Sequence, residues 1–159
     1  MKTILIIICL TCFKTMATAQ FYYGGNIGVS IGKSYDTKTK QIRNGINDAY
    51  LSIPIGYVGK YWIAEISPQG SASLQTSVSF LVGGKLDFGD NAGLHLLIGY
   101  KDEILYNPKP LQLTHYFYPS GRLRIWLGNF MVQGSFIKKK QNSEFEFGVG
   151  CIGLWEKIN

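Results

Sequence analysis

One stretch of the sequence, from Thr76 to Tyr100, alternates apolar and polar residues along two arms that a glycine-containing turn joins. Residues two apart share one face of a β-strand, so this alternation predicts an antiparallel hairpin with one apolar face and one polar face. Each arm reaches the roughly 9 to 11 tilted residues that cross a bilayer as a strand, whereas soluble strands average roughly 5 to 6. The stretch therefore favours a membrane-spanning β-barrel. Its apolar face holds Thr76, Val78, Phe80, Val82, Leu86, Phe88, Leu94, Leu96, Ile98 and Tyr100, with Leu81 and Leu97 as apolar exceptions on the other face.

The apolar residues of the two arms must lie on the same face of the hairpin, and this requirement limits its register. Closing the turn with Gly89 opposite Gly93 satisfies it and predicts Phe88 opposite Leu94. The same register sets Asp87 against His95 on the polar face. We interpret that pair as a structural cross-strand contact, with a proton-relay or catalytic pair as the alternative.

Residues 1–19 have the pattern of a cleaved signal peptide, with Lys2 before an apolar run and Ala17-Thr18-Ala19 before Gln20. The apolar run is far shorter than the roughly 20 residues of a membrane-spanning helix. We expect residues 20–159 to form a single domain that retains one cysteine, Cys151, and therefore no internal disulfide. Loss of Lys2 and Lys14 lowers the formal net charge from +6 to +4, so the domain stays mildly basic.

The composition argues against a water-soluble sheet. Charged residues make up 16% of the chain, against about 25% in soluble domains. All 19 glycines lie after residue 19, and the polar face of the first predicted strand consists of small polar residues. Because no segment of residues 20–159 is a candidate membrane helix, a membrane protein of this sequence must be a closed barrel. That polar face holds Asn26, Gly28, Ser30 and Gly32.

The predicted fold class is all-β: a closed antiparallel up-and-down barrel of about eight strands that follows the signal peptide. Strands are expected at 22–32, 48–58, 61–67, the two hairpin arms, 111–118, 122–137 and 144–155. We predict a ladder break at Pro54 and a bulge near Gly128-Asn129. Longer connections are expected outside the cell at 33–47, 68–75, 102–110 and 138–143, and shorter turns on the periplasmic side near 59–60, 89–93 and 119–121.

Aromatic residues are expected in two girdles, because tyrosine and tryptophan prefer the membrane interface. The predicted periplasmic girdle holds Tyr23, Tyr57, Tyr61, Phe88, Tyr118 and Trp155, and the predicted outer girdle holds Tyr100, Phe136 and Phe145.

The start of the chain resembles small outer-membrane barrel proteins of Gram-negative bacteria. The residues that carry the resemblance are Ala17-Thr18-Ala19 before Gln20, followed by Phe21-Tyr22-Tyr23-Gly24-Gly25-Asn26-Ile27-Gly28. The resemblance implies a location in the outer membrane, contact with its lipid and insertion by the barrel-assembly machinery. Such proteins usually end on an aromatic residue, whereas here Trp155 is followed by Glu156-Lys157-Ile158-Asn159.

The interior of an eight-stranded barrel is only wide enough for its own side chains, so no open pore is expected. Charges that point inward must then pair with one another, because an unpaired buried charge is costly. We predict a lumen polar cluster of Lys85, Asp87, His95, Lys101 and Glu146.

No catalytic residue, cofactor or metal site is predicted. The chain has two histidines, and its sequence contains no zinc-ligand spacing, phosphate-binding glycine loop or nucleic-acid-binding motif. His115 is close in sequence to Ser120, but the predicted strands put both near the periplasmic turn without an obvious acid. We expect the protein not to be an enzyme, with a lipid-modifying barrel enzyme as a distant alternative.

The leading functional prediction is an outer-membrane barrel with a structural or surface-interaction role. Basic residues on the outer side are candidate contacts for lipopolysaccharide phosphates, although a solvated face explains them as well. The rival prediction is a soluble periplasmic β-barrel whose apolar face turns inward around a small apolar ligand. The basic residues are Lys38, Lys40, Arg43, Lys138, Lys139 and Lys140.

Overall fold

The computed structural model describes residues 20–36, 41–73, 75–108, 111–140 and 143–154. The predicted signal peptide at 1–19 lies outside the described residues and stays a prediction. Lys38, Lys40 and Trp155 lie outside them as well.

The described residues form nine β-strands, which make one closed antiparallel sheet. Each strand pairs with the next, and the last pairs with the first. The second and third strands flank Ile53-Pro54 and together fill one position of the ring, which therefore has eight positions. The predicted all-β up-and-down fold is confirmed. The strands are β1 (Gln20–Asp36), β2 (Gln41–Ser52), β3 (Ile55–Val58), β4 (Trp62–Ser71), β5 (Thr76–Asp87), β6 (Ala92–Pro108), β7 (Leu111–Leu127), β8 (Phe130–Lys138) and β9 (Ser143–Leu154).

No helix in the described part of the chain is long and apolar enough to cross a membrane.

The apolar face of the alternation points outward. Val82 is 58% exposed and Leu96 is 60% exposed, whereas Leu81 and Leu97 are buried inside the ring. These two leucines pack with Tyr22, Val58 and Ile63 into the apolar core of the lumen. The exceptions to the alternation therefore have a structural purpose, because they fill the interior next to the polar side chains.

The predicted ladder break at Pro54 is confirmed. Proline has no N–H to donate, and β2 ends two residues before it. Two backbone hydrogen bonds connect the neighbouring strands beside the break. Gly24 N–H donates to the Pro54 carbonyl at 2.8 Å, and Ile53 N–H donates to the Pro68 carbonyl at 2.9 Å. The ring consequently stays closed across the break.

The predicted hairpin register is wrong by two residues, although its parity is right. Leu86 lies opposite Leu94 and Lys85 lies opposite His95, so Asp87 faces Gly93 instead of His95. The tight turn explains the difference. Phe88 N–H donates to the Ala92 carbonyl at 2.8 Å, and Gly89 adopts a φ of +78° within the turn instead of extending the ladder.

The described residues of two predicted loops belong to strands. Residues 33–36 pair with 41–44 in a ribbon of β1 and β2, and a register shift occurs between Ser30 and Ile31. Residues 102–108 likewise belong to β6, which pairs with β7 along 17 residues of each strand. Strands that project beyond a hydrocarbon layer have water on both faces, so they need no alternation of apolar and polar residues. The connections at the two ends of the barrel were predicted to differ in length, and this difference arises largely because the strands extend farther at one end.

The predicted turn at Pro119-Ser120-Gly121 is also wrong, because β7 runs through it without interruption. Pro119 lies opposite Tyr100 of β6, and the pairing of β7 with β8 begins only at Ser120. Pro119 therefore occupies a position where its strand has no partner on the β8 side, which is a place a sheet tolerates proline.

The real turn is Gly128-Asn129, where a bulge was predicted. Gly128 has a φ of +58°, and Leu127 faces Phe130 across a two-residue hairpin. Across this hairpin, odd-numbered residues of β7 lie opposite even-numbered residues of β8. The outward-facing residues therefore have odd numbers before the turn, as in Ile125, and even numbers after it, as in Val132. Tyr118 consequently lies at the opposite end of the barrel from its predicted girdle.

The barrel has two distinct ends. Gln20, Leu154 and the turns at 59–61, 88–91 and 128–129 lie at one end, called here the turn end. Residues 72–73, 75 and 139–140, with the ends of the β1–β2 and β6–β7 ribbons, lie at the other, called the loop end. Exposed Tyr23, Tyr57, Tyr61 and Phe88 surround the turn end, as predicted for that girdle.

Candidate functional site

The centre of the lumen holds a group of buried polar side chains, three of them charged, called here the central cluster: Tyr22, Glu65, Arg122 and Arg124. The Glu65 carboxylate accepts from Arg122 Nη1 at one oxygen. Its other oxygen accepts from Arg124 Nη2 at 2.6 Å and from the Tyr22 hydroxyl at 2.5 Å. The side chains of Glu65 and both arginines are at most 1% exposed. One carboxylate thus serves two guanidinium groups in the middle of the barrel.

Neighbouring polar residues on β8 hold the two arginines in place. Arg122 Nε donates to Ser135 Oγ at 3.0 Å. Arg124 Nη2 and Nε donate to Gln133 Oε1 at 3.2 and 3.3 Å. Because Ser135 and Gln133 lie opposite Arg122 and Arg124 in the β7–β8 ladder, strand pairing alone sets these contacts. The arrangement joins β1, β4, β7 and β8 through charge-assisted hydrogen bonds across the lumen.

A second ionic group lies on the loop-end side of the central cluster. Glu146 accepts from Lys101 Nζ and, at 2.8 Å, from Gln69 Nε2. Both ionic side chains are at most 4% exposed. The prediction grouped Lys101 and Glu146 with three residues of the turn end, and the structure brings these two together.

The other three predicted lumen residues lie on the turn-end side. Lys85 Nζ pairs with Asp87 Oδ2 of its own strand at 2.9 Å, near the mouth of the barrel. His95 is 4% exposed and packs beside Trp126, with ring centroids 6.3 Å apart. The predicted group of five is therefore divided into two groups by the central cluster.

The sequence prediction missed Glu65, Arg122 and Arg124. A signal for the two arginines was present: Leu123 and Ile125 face outward, so strict alternation places Arg122 and Arg124 inside. Glu65 was harder to find, because the apolar residues Trp62-Ile63-Ala64 before it show no alternation. The inward position of Glu65 follows only from the pairing of β4 with β3 and β5.

His115 lies near the loop end, not near the periplasmic turn as predicted, and it has an acidic partner. Its Nδ1 is 2.8 Å from Asp102 Oδ2. His115 stacks on Phe117, which is 64% exposed on the outer surface. Ser120 is buried in the interior, and no nucleophilic hydroxyl among the described residues contacts His115. The contact gives one oxygen of the buried Asp102 side chain a polar partner at the edge of the apolar outer surface.

The basic residues at the loop end have different surroundings. Lys139 Nζ is 2.7 Å from both Glu103 Oε1 and Glu144 Oε2. Burial acts to lower the pKa of Lys139, but the hydrogen bonds and charges of the two carboxylates outweigh it and raise that pKa. Lys138 and Lys140 have no ion-pair partner among the described residues, and Lys140 is exposed. Arg43 belongs to the β1–β2 ribbon.

In the described part of the chain, no group of three or more histidine, cysteine, aspartate or glutamate side chains could hold a metal ion. Cys151 is a free, exposed cysteine.

The outer surface between the two ends is apolar, and the charges lie inside. Ile27, Ile98 and Phe147 are 51 to 65% exposed, whereas Arg124 and Glu146 are at most 1% exposed. This distribution is the reverse of that in a water-soluble protein, in which charged residues are almost never fully buried. It also disagrees with the rival prediction of an apolar ligand cavity, because the alternating apolar face is outside. Such a surface is stable against hydrocarbon, so the barrel spans a membrane.

No family model and no curated protein matches this chain. Solved structures do match. Neisserial surface protein A (NspA) is 10% identical with a TM-score of 0.57, over 86% of this chain and 99% of that one. Ail, the attachment invasion locus protein of Yersinia pestis, is 13% identical with a TM-score of 0.48, over 85% of this chain and 98% of that one. A de novo designed transmembrane β-barrel is 12% identical with a TM-score of 0.46, over 82% and 95%.

At such identities the likeness to NspA concerns the fold alone. It agrees with the closed ring of strands described above. The chain has the fold of the small eight-stranded outer-membrane β-barrels.

Proposed function

We propose that this protein is an outer-membrane β-barrel with a sealed lumen, which serves a structural or surface-interaction role and not solute transport. The observation that carries the proposal is the central cluster, which crosses the lumen at the height where the outer surface is apolar. The resemblance of the N-terminal segment supports export to the outer membrane. The turn end, which holds the described ends of the barrel, is assigned to the periplasmic side.

The central cluster divides the interior into two spaces. On the turn-end side is a cavity of about 540 Å³. On the loop-end side, a space of about 40 Å³ is lined by Ser30, Asp48, Lys101 and Glu146, among others. Between them, Glu65, Arg122 and Arg124 are at most 2% exposed. Moving an ion past them requires breaking a buried salt bridge, and a buried charge without its partner is strongly unfavourable.

Planar-bilayer recording tests the sealed lumen. The purified chain is expected to insert without stepwise conductance, whereas a porin in the same bilayer supplies the positive control. Conductance steps that increase in number with the amount of the purified chain would contradict the proposal.

The surface role concerns the loop end. Lys140 is exposed next to the Lys139–Glu103–Glu144 group, in which Lys139 is already engaged by two carboxylates. We assign the anionic contacts to Lys138 and Lys140, with lipopolysaccharide phosphate as the ligand chemistry. Lys38, Lys40 and Arg43 belong to the same proposal on the strength of the sequence. Insertion by the barrel-assembly machinery also rests on the sequence resemblance.

A matched pair of charge removals tests the surface role. Lys140→Gln should weaken binding to vesicles that contain lipopolysaccharide about fivefold, because a lysine near an anionic membrane surface contributes about 1 kcal/mol. Lys60→Gln removes the same charge from an exposed turn at the other end and should leave binding unchanged. Equal affinities for the two variants in a vesicle co-sedimentation assay would count against Lys140 as a contact.

A further inference from the structure

The turn-end cavity combines an open mouth with a polar inner end. Its volume of about 540 Å³ falls in the range of about 300 to 1,000 Å³ that small-molecule sites occupy. The turn residues Asp90 and Asn129 line its mouth, while His95 and Trp126 line it farther inside. The cavity is therefore accessible to solutes on the turn-end side of the membrane and closed toward the other side by the central cluster.

Two side chains in the wall of this cavity have buried polar atoms without a hydrogen-bond partner among the described residues. They are Nδ1 of His95 and Nε1 of Trp126, and the His95 side chain belongs to a residue that is only 4% exposed. Buried polar atoms nearly always have a partner, and an indole N–H can only donate. The partner that Trp126 requires is therefore a hydrogen-bond acceptor.

The charge balance next to the cavity favours a negatively charged acceptor. Arg124 lies directly opposite His95 in the β6–β7 ladder, and its Nη1 also has no partner among the described residues. The central cluster contains two guanidinium groups and one carboxylate, so its formal charge is 2 − 1 = +1. A buried net charge is unfavourable unless an opposite charge compensates it.

The other charges in the cavity wall do not supply that compensation. Lys85 and Asp87 form an ion pair with each other. Asp90 is exposed in the turn at the mouth, where water and salt screen its charge. The excess positive charge lies at the inner end, beside the two unpartnered side chains of the wall.

We propose that the turn-end cavity is a binding site for a small oxyanion, a carboxylate or phosphate group. The anion accepts a hydrogen bond from Trp126 Nε1–H, contacts His95 and compensates the positive charge of the central cluster. Its carrier enters at the turn end past Asp90 and Asn129, which line the mouth, and this is the periplasmic side in the proposed orientation. This site goes beyond the surface role, because it lies at the opposite end from the basic loop residues.

Titration with simple anions tests the site. The full-length mature chain is labelled with ¹⁵N, placed in nanodiscs and titrated with sodium phosphate or sodium acetate while sodium chloride keeps the ionic strength constant. The indole N–H signal of Trp126, assigned through Trp126→Phe, should shift and saturate. The signal of Trp62 should stay unchanged. Saturation by phosphate, by acetate or by both supports the proposal and identifies which oxyanion the site prefers.

Two variants show whether the wall residues hold the anion. His95→Phe keeps a ring of similar size and should weaken binding about tenfold, because a hydrogen bond to a charged group contributes that much. Arg124→Gln should abolish saturation, and if it does not fold, His95→Phe decides alone. Lys60→Gln is the control at the same end of the barrel and should bind as the original protein does.

A Trp126 signal that responds linearly, or equally to chloride, would show only general salt effects and would overturn the proposal. Unchanged affinity of the His95→Phe variant would overturn it as well.

Discussion

Replacing Glu65 with alanine is expected to destabilise the barrel by about 3 to 5 kcal/mol, because it leaves two buried guanidinium groups without their carboxylate. Arg122 and Arg124 both donate to Glu65, and the hydroxyl of Tyr22 loses its acceptor too. The free energy of unfolding is measured by urea titration in lipid vesicles. The control is Asp90→Ala, an exposed turn position where a change within about 0.5 kcal/mol is expected.

A triple variant separates the effect of charge from the effect of volume. Glu65→Leu, Arg122→Leu and Arg124→Met together remove every charge of the central cluster while keeping it filled. Replacing a buried ion group with apolar residues is often neutral or stabilising by about 1 to 4 kcal/mol, so most of the stability lost in Glu65→Ala should return. If the free energy of unfolding of the Glu65→Ala variant were within about 1 kcal/mol of that of the original protein, the result would contradict the role given to this cluster.

Arginine at position 82 is expected to produce the second large effect. Val82 is 58% exposed and lies opposite Ile98, which is 65% exposed. If these side chains touch hydrocarbon, Val82→Arg costs about 2 to 4 kcal/mol, the value for a cation on the lipid face near the bilayer midplane. If they touched water, the same change at such an exposed position would cost no more than about 0.5 kcal/mol.

The matched control is Thr76→Arg, on the same face of β5 but at its loop end. The penalty falls to about 0 to 1 kcal/mol near the interface, so this variant should remain close to the original protein. The stability of both variants is compared with that of the original protein by urea titration and by heat-modifiable gel migration. Equal, small effects at positions 76 and 82 would contradict contact with lipid.

The parts of the fold that a hydrocarbon solvent dictates were predictable from the sequence. Outward residues such as Val82, Leu96 and Phe147 must be apolar, and their alternation identified the strands and their faces. Beyond the membrane this requirement ends, so the ribbon segments at 33–36, 41–47 and 102–108 lack the alternation that predicts a strand. Pro119 misled the prediction because its position relative to the end of β8 is a property of the pairing, not of the local sequence.

The interior was predictable only in part. Lys101 and Glu146 could be placed in the lumen by alternation, but alternation does not say which inward charge meets which. Glu65 contacts Arg122 and Arg124, 57 and 59 residues away in the sequence. Contacts of this kind depend on the stagger between strands that pair around the ring. The contact between His115 and Asp102 depends on strand pairing as well, because it forms where β6 and β7 extend to the loop end.

Solvent accessibility at Val82 distinguishes lipid from water at the outer surface, because a membrane-spanning barrel has hydrocarbon outside the ring and fixed charges inside it. A spin label is attached to Val82→Cys in a Cys151→Ser background, and the protein is reconstituted into lipid vesicles. Electron paramagnetic resonance then compares the collision rates of the label with oxygen, which concentrates in hydrocarbon, and with a water-soluble nickel complex. A label that faces hydrocarbon should collide frequently with oxygen and rarely with nickel. Frequent collisions with nickel at position 82, in a folded and heat-modifiable barrel, would contradict contact with hydrocarbon.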